Sequence, residues 1–178
     1  MTTRIALLRG INVGGNPLSM HRLRSLCADL GFQNVQTCIQ SGNILFDSPA
    51  PVSQFIAALE TKLARESRLP IAILLRTAAQ WSRLVAANPF LRQKGIDPAR
   101  LHVTFLPAIP ATAARKALAA LDPGPDSCQL IGSEIYLHCP FGYGKTRLSN
   151  TAFEKLLHQK ATTRNWNTIL KLHTMALS

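Results

Sequence analysis

The stretch TRIALLRGINVGGNPLSM, from Thr3 to Met20, decides the fold. Its apolar run IALL, residues 5–8, predicts a short strand buried on both faces or beneath helices. The loop from Arg9 to Gly15 follows, and glycine at its end accepts backbone angles that a β-carbon forbids. A strand that runs into a glycine loop and a helix start can bind an anion, because free backbone N–H groups meet there.

The residues after this loop predict one helix. Asn16 and Pro17 have the composition of an N-cap and a first helical residue. Apolar residues then recur at helical spacing, and Gly31 predicts the helix end. The residues of this apolar stripe are Met20, Leu23, Cys27 and Leu30.

The next fifty residues complete a regular unit. Alternation over 35–40 predicts a strand, the Ser41-Gly42-Asn43 turn reverses the chain, and residues 44–46 predict a second strand. Apolar residues from Val52 to Leu63 predict a helix capped near Ser53, and residues 70–75 predict a fourth strand. The order strand, helix, strand, strand, helix, strand favours a ferredoxin-like α+β lobe over residues 1–77.

The second half repeats that order. A helix over 78–87 and a polar segment up to residue 100 form a connector. Residues 101–178 then predict a strand, a helix over 112–121, a hairpin of 127–131 with 134–139, and a helix that starts near residues 149–151, where Thr151 and Glu154 have capping-box spacing. The tail from Thr162 predicts a final helix in place of the closing strand. We therefore expect two ferredoxin-like lobes, the second modified by a C-terminal helix.

Composition limits the function. The 178 residues carry 20 basic and 9 acidic side chains, a formal net charge of +11, which favours nucleic acid, a phosphorylated metabolite or another anionic partner.

The four cysteines lack CxxC spacing and indicate reduced thiols. The five histidines lack metal-ligand spacing, so we expect neither a metal nor a cofactor. Without a signal peptide or a long apolar segment, we expect a cytoplasmic protein that does not enter the membrane.

Three further segments are candidates for binding. Lys145 follows Gly144 in a glycine-rich loop. The loop lacks the first glycine of a Walker motif, so we do not expect nucleotide hydrolysis. Lys145 can still pair with a phosphate or a carboxylate. Arg164 and Asn165, next to Trp166, offer donors for an oxyanion beside an aromatic ring. Each segment also has an interpretation without a ligand. The residues of Ser41–Asn43 suit an ordinary turn, the Lys145 loop can be a solvated loop, and Trp166 can be a buried core residue with solvated neighbours.

Several separated motifs together resemble a bacterial family catalogued as a domain of unknown function, DUF1697. The resemblance implies a two-lobed protein with ferredoxin-like halves and no established activity, ligand or catalytic residue. Cys38 departs from the aromatic residue expected there. The motifs are LLRGINVGG at residues 7–15, Met20, Gly31-Phe32, QSGN at 40–43, Gly144-Lys145 and TRNWxTxxKL at 163–172.

We hypothesise that these loops meet in a cleft between the lobes and bind an anionic ligand, either nucleic acid or a nucleotide-like molecule. The sheets lack the aromatic signature of an RNA-recognition motif. Two alternatives stay open: an enzyme acting on a small phosphorylated or carboxylated metabolite, and an interaction module with an incidental basic surface. The sequence assigns no catalytic residue and no oligomeric state. The predicted ligand-binding residues are Arg9, Asn12, Gly14, Gly15, Ser41, Gly42, Asn43, Lys145, Arg164 and Asn165.

Overall fold

A computed structural model describes residues 2–12, 17–38, 42–48 and 51–178. The chain divides into two compact units, one of Met1–Ser82 with Leu172–Ser178 and one of Arg83–Lys171. This division differs from the predicted ranges 1–77, 78–100 and 101–178, because it splits the connector between the two units after Ser82 and gives Leu172–Ser178 to the first unit. Within that unit the Ser82 hydroxyl lies 2.9 Å from Nε2 of His173.

The first unit contains a four-stranded antiparallel sheet and two helices that follow its first and third strands. The strand order is β2-β3-β1-β4, so the first strand of the chain lies inside the sheet. The predicted elements are confirmed with small changes at their ends. They are β1 (Thr2–Arg9), α1 (Met20–Asp29), β2 (Gln33–Cys38), β3 (Asn43–Ser48), α2 (Ser53–Ser67) and β4 (Ala72–Thr77).

The apolar patterns of the sequence form the core of this unit. Alternate residues of β1 and β3 meet the apolar stripes of α1 and α2, as the two- and 3.6-residue periods require. The rings of Phe32 and Phe46 lie 4.3 Å apart within it. The best-buried members are Ala6, Leu8, Leu23, Leu26, Cys27, Ile44, Phe46, Leu59 and Leu63.

Two helix starts differ from the prediction. Helix α1 begins at Met20, because the Ser19 hydroxyl accepts a hydrogen bond from the Arg22 N–H at 3.1 Å and caps the helix; Pro17 lies before the helix. Asn16 lies outside the described residues. Helix α2 begins at Ser53, but its cap position is Val52, which offers no side-chain acceptor. The predicted end of α1 is confirmed, since Gly31 has φ +83°.

The edge strand β2 carries an irregularity. Its pairing with β3 shifts register between Gln33 and Gln36, and Asn34 adopts φ +51°. The Asn34 amide donates a 2.8 Å hydrogen bond to Asp47, which lies on β3. Such a bulge bends the strand and increases its local twist.

The second unit has the same order of elements around a second antiparallel sheet. Its strand order, β6-β7-β5-β8, again places the first strand inside. Helix α3 (Ala78–Ala86) precedes it along the chain. The elements are β5 (Leu101–Phe105), α4 (Thr112–Ala119), β6 (Ser127–Ile131), β7 (Glu134–His138), α5 (Asn150–Leu157), β8 (Thr162–Asn165) and α6 (Trp166–Leu177).

Two predictions for this unit are wrong. Thr162–Asn165 form a closing strand, β8, which pairs with β5 before α6 begins, because the β-branched residues Thr162 and Thr163 suit the open edge of β5. The predicted capping box at Thr151 is also absent. Ser149 caps α5, and the Glu154 carboxylate instead accepts a 2.9 Å hydrogen bond from the Ala161 N–H.

No helix in the described part of the chain has the length and apolar character that a membrane crossing requires.

Candidate functional site

Two predicted loops of the first unit lie against each other. The Leu8 N–H donates a 2.9 Å hydrogen bond to the Gly42 carbonyl. A β-carbon placed on Gly42 would lie 2.4 Å from Cγ2 of Ile11 and 3.0 Å from Cβ of Leu8. The segment after β1 and the turn before β3 therefore pack in direct contact, which leaves no room for a side chain at residue 42.

The polar residues of these loops have local structural partners. The Asn12 side chain accepts a 2.7 Å hydrogen bond from the Leu18 N–H, and Asn12 itself has φ +57°. Asn43 is fully buried, and its amide donates to the Cys38 carbonyl at 2.9 Å. Arg9 is half-buried at the end of β1. Gly14, Gly15 and Ser41 lie outside the described residues.

A cavity of about 440 Å³ in the first unit does not suit an anion. Its lining includes Asp47, whose carboxylate accepts hydrogen bonds from Asn34 and Thr3 at 2.8 Å each. These bonds lower the pKa of Asp47, so the wall carries a negative charge at neutral pH. The cavity is lined by Thr3 at the start of β1, whereas Arg9, the first residue of the loop predicted to bind, lies at the other end of that strand.

In the second unit, residues 140–146 form a compact structure that we call the 140–146 turn. Its core is a short 3₁₀ helix, Tyr143–Lys145. Three backbone hydrogen bonds close it: Gly142 N–H to Cys139 O at 2.9 Å, Lys145 N–H to Gly142 O at 3.1 Å and Thr146 N–H to Tyr143 O at 3.2 Å. Lys145 is exposed, and its ammonium pairs with no carboxylate of the described residues.

The 140–146 turn is attached to the sheet through Tyr143. Its hydroxyl donates to Thr163 Oγ1 at 3.1 Å, and Thr163 Oγ1 donates to Asn150 Oδ1 at 2.6 Å. Thr104 Oγ1 lies 2.7 Å from the same Thr163 oxygen. Because a hydroxyl has one proton and Thr163 gives its proton to Asn150, Thr104 must donate to Thr163. The direction of every bond among these four residues, Tyr143, Thr163, Asn150 and Thr104, is therefore fixed, and we call them the threonine network.

His102 supports the turn from the sheet side. Its ring stacks on Tyr143 with 4.9 Å between ring centres and 26° between planes. The side chain is 8% exposed, and a contact with the Arg100 backbone only partly offsets the effect of this burial on its protonation. Burial lowers the pKa of His102, so the imidazole is neutral at pH 7. Sequence reasoning did not select His102.

This burial predicts a dependence of stability on pH. The unfolded chain binds a proton at His102 near pH 6.5, whereas the folded chain binds it only at lower pH. The stability that neutral His102 provides is thus present above pH 6.5 and lost as the pH falls toward the folded-state pKa. We expect the melting temperature to fall between about pH 7 and pH 5, and to fall less in His102→Phe, which keeps an aromatic ring at the stack. Equal slopes for both proteins would contradict this assignment.

The structure brings Lys145 and Asn165 to the same end of the second sheet. Asn165 pairs in register with His102, and its Oδ1 accepts a 3.0 Å hydrogen bond from the Thr168 N–H, capping α6. Arg164 points to the opposite face and is 7% exposed. Its Nη1 donates to Thr162 Oγ1 at 2.7 Å and to the Thr163 carbonyl at 2.9 Å, and burial lowers its pKa to about 10.

The charge around this sheet is strongly positive. The segment Arg83–Lys171 holds 12 basic and 5 acidic side chains, which is most of the net charge of the chain. Arg147, next to the 140–146 turn, forms a highly exposed 3.5 Å ion pair with Asp122. Lys145 therefore lies in a positive field that its neighbours only partly neutralise.

Neither metal binding nor thiol chemistry has support in the described residues. No group of three or more His, Cys, Asp or Glu side chains among them could hold a metal ion. None of the four cysteines forms a disulfide bond. Burial raises the pKa of Cys27 to about 12 and that of Cys139 to about 11, so neither is a thiolate at neutral pH.

Comparison with known proteins gives a family and a fold. A family model described as "Protein of unknown function (DUF1697)" matches residues 1–136. The solved structure of a conserved bacterial protein, SP0830, from Streptococcus pneumoniae matches with a TM-score of 0.71 and 23% identity, over 100% of this chain and 99% of that one. At that identity the likeness shows the fold alone. No curated protein matches the chain.

Proposed function

Because the chain belongs to the DUF1697 family, whose function is unknown, we propose a function from the site alone: the second unit binds an anionic ligand, nucleic acid or nucleotide-like, at the 140–146 turn. One observation carries this proposal. The turn is tied to the sheet through Tyr143 and Thr163, while Lys145 on the same turn is exposed and unpaired with any described carboxylate. A cation on a preorganised turn binds phosphate without the entropic cost of ordering a loop.

Of the predicted ligand-binding residues, Lys145 is the direct contact in this proposal and Asn165 lies at the same sheet end. Arg164 acts indirectly, since its donors to Thr162 and Thr163 hold β8 in place. Turn geometry explains Asn12, Gly42 and Asn43. The contribution of Arg9, Gly14, Gly15 and Ser41 to the same ligand stays a prediction.

Two further proposals concern the fold of each unit and the location of the protein. We infer a ferredoxin-like arrangement for each unit, supported by the order of elements and by the strand order second-third-first-fourth in both sheets. We propose a cytoplasmic location, where nucleic acids and phosphorylated metabolites are both present, because none of the four cysteines forms a disulfide.

The experiment is a titration of fluorescently labelled single-stranded RNA and DNA at several salt concentrations. Phosphate binding predicts that affinity falls steeply between about 50 and 200 mM salt. In Lys145→Ala we expect weaker binding to every sequence and a salt slope reduced by about 1, because one phosphate contact is lost.

Lys160→Ala is the matched control for Lys145→Ala. Lys160 is exposed and carries the same charge, but it precedes β8, whereas the 140–146 turn lies near Arg100 at the start of β5. Equal losses in both variants would mean that only net charge matters and would overturn the proposed site. If salt-sensitive binding is absent and a phosphorylated or carboxylated compound raises the melting temperature, the metabolite alternative replaces the proposal.

A further inference from the structure

We propose that the ligand of the 140–146 turn is single-stranded nucleic acid, with an unpaired base stacked on Phe141 and a neighbouring phosphate held by Lys145 and Arg100. This inference rests on the proposed function, and it adds the form of the ligand and the residue that recognises the base.

Phe141 is an exception among the aromatic residues of the unit. Its side chain is 66% exposed, whereas Phe105, Phe153, Tyr136 and Trp166 are each at most 1% exposed. Pro140 precedes it and Gly142, at φ +93°, follows it, so the backbone on both sides is conformationally defined. An exposed ring on a turn of fixed shape offers an open face to a planar ligand.

Two basic residues lie near Phe141 in the fold. Arg100 Nη1 would lie 3.1 Å from a β-carbon on Gly142, so the guanidinium lies close to the residue that follows Phe141. Its ion pair with Asp97, at 4.0 Å, is at the limit for such contacts and leaves the side chain about half exposed. Lys145 follows four residues after Phe141 on the same turn. Gly144 between them has open space around its backbone.

This combination favours a single strand over other anions. A free phosphate has no apolar face to cover a phenyl ring, and the bases of a duplex already have their faces covered by neighbours. An unpaired nucleotide has both a π-face and a phosphate, and aromatic rings beside basic grooves bind such strands with little sequence preference. Protein interfaces favour a wider apolar patch and are depleted in lysine.

The threonine network orders the 140–146 turn before a ligand binds. The Tyr143 hydroxyl donates to Thr163 at 3.1 Å and its ring stacks on His102, and Tyr143 lies only two residues after Phe141 on the same turn. Stacking of a base therefore does not require the turn to fold first, which lowers the cost of binding.

The test compares three labelled probes that carry similar phosphate charge: an oligothymidylate of about ten nucleotides, an abasic strand of the same length and polyphosphate. We expect the full chain to bind the oligothymidylate at least about tenfold more tightly than the abasic strand. Phe141→Ala is expected to remove that difference without changing affinity for the abasic strand, and Phe141→Tyr to retain it.

Ile109→Ala is the matched control for Phe141→Ala. Ile109 is 64% exposed in the same unit, but it lies beyond the end of β5 opposite to Arg100. Its substitution is expected to leave the affinity for all three probes unchanged. A loss of oligothymidylate binding in this variant equal to that in Phe141→Ala would overturn the inference, because it would indicate a general apolar effect.

The outcomes separate the inference from the proposed function. If Lys145→Ala weakens all three probes equally and Phe141→Ala weakens none, the base-stacking inference is overturned while anion binding at the turn stands. If no probe binds in a salt-sensitive way, both fail. If Phe141→Ala changes only the sedimentation of the chain, the ring belongs to a contact between protein molecules and the inference is overturned.

Discussion

Gly42→Ala is expected to lower the free energy of unfolding by about 3 kcal/mol, with contributions from left-handed backbone strain and from overpacking. Gly42 has φ +75°, a conformation that alanine adopts at a cost. The added methyl would also lie 2.4 Å from Cγ2 of Ile11, which is 7% exposed and has little room to move. Urea unfolding followed by circular dichroism measures the loss.

Gly31→Ala separates the two contributions to that loss. Gly31 has φ +83° but nothing lies within 4 Å of a β-carbon placed there. Its substitution therefore carries only the backbone cost, about 1 kcal/mol. If Gly31→Ala and Gly42→Ala lose the same stability, the close packing of residue 42 on Ile11 has no energetic importance.

Thr163→Val is expected to cost about 3 kcal/mol, because valine keeps the shape of the side chain but removes the hydroxyl that three groups share. Asn150 Oδ1 loses its donor, and the hydroxyls of Tyr143 and Thr104 lose their acceptor. In the variant these three polar groups are partly buried, so they form few replacement hydrogen bonds with water. Thermal unfolding with and without urea measures the loss in the free energy of unfolding. We also expect weaker binding of single-stranded nucleic acid, because Tyr143 no longer has the hydrogen bond that holds the 140–146 turn on the sheet.

Thr104→Val is the control for this prediction. Thr104 donates to Thr163 at the edge of the network, so its removal leaves only one lone pair of Thr163 without a partner. We expect a loss of about 1 kcal/mol. A loss in Thr104→Val equal to or larger than that in Thr163→Val would contradict the central position of Thr163 in the network.

Local pattern was sufficient for most elements of the fold. The hairpin of β6 and β7 and the start of α4 follow from alternation and helical spacing, because each element is bounded by clear turn residues. Strand β8 was missed, since its four residues precede α6 without a break and the helical period of Trp166, Ile169 and Leu172 dominated the pattern. The start of α1 was misplaced because Asn16 and Ser19 are both acceptable caps, and only the three-dimensional path of the chain selects Ser19.

The candidate site was less accessible to sequence reasoning. Lys145 could be selected because glycines precede it in a loop, but the threonine network joins residues from four separate elements through strand register. One signal was present: His102 and Thr104 interrupt an otherwise apolar strand at alternate positions, so one face of β5 must be polar. A polar face on the inner strand of a sheet requires partners, and the 140–146 turn and α5 provide them.

The bulge at Asn34 has a consequence for behaviour in concentrated solution. An unbroken edge strand offers evenly spaced donors and acceptors to which a strand of another molecule can add, and repeated addition leads to fibrils. Strand β2 is an edge strand, but its register with β3 shifts between Gln33 and Gln36, and its side chains there are mostly polar and exposed. We therefore expect this edge of the first sheet to resist the addition of a strand from another molecule.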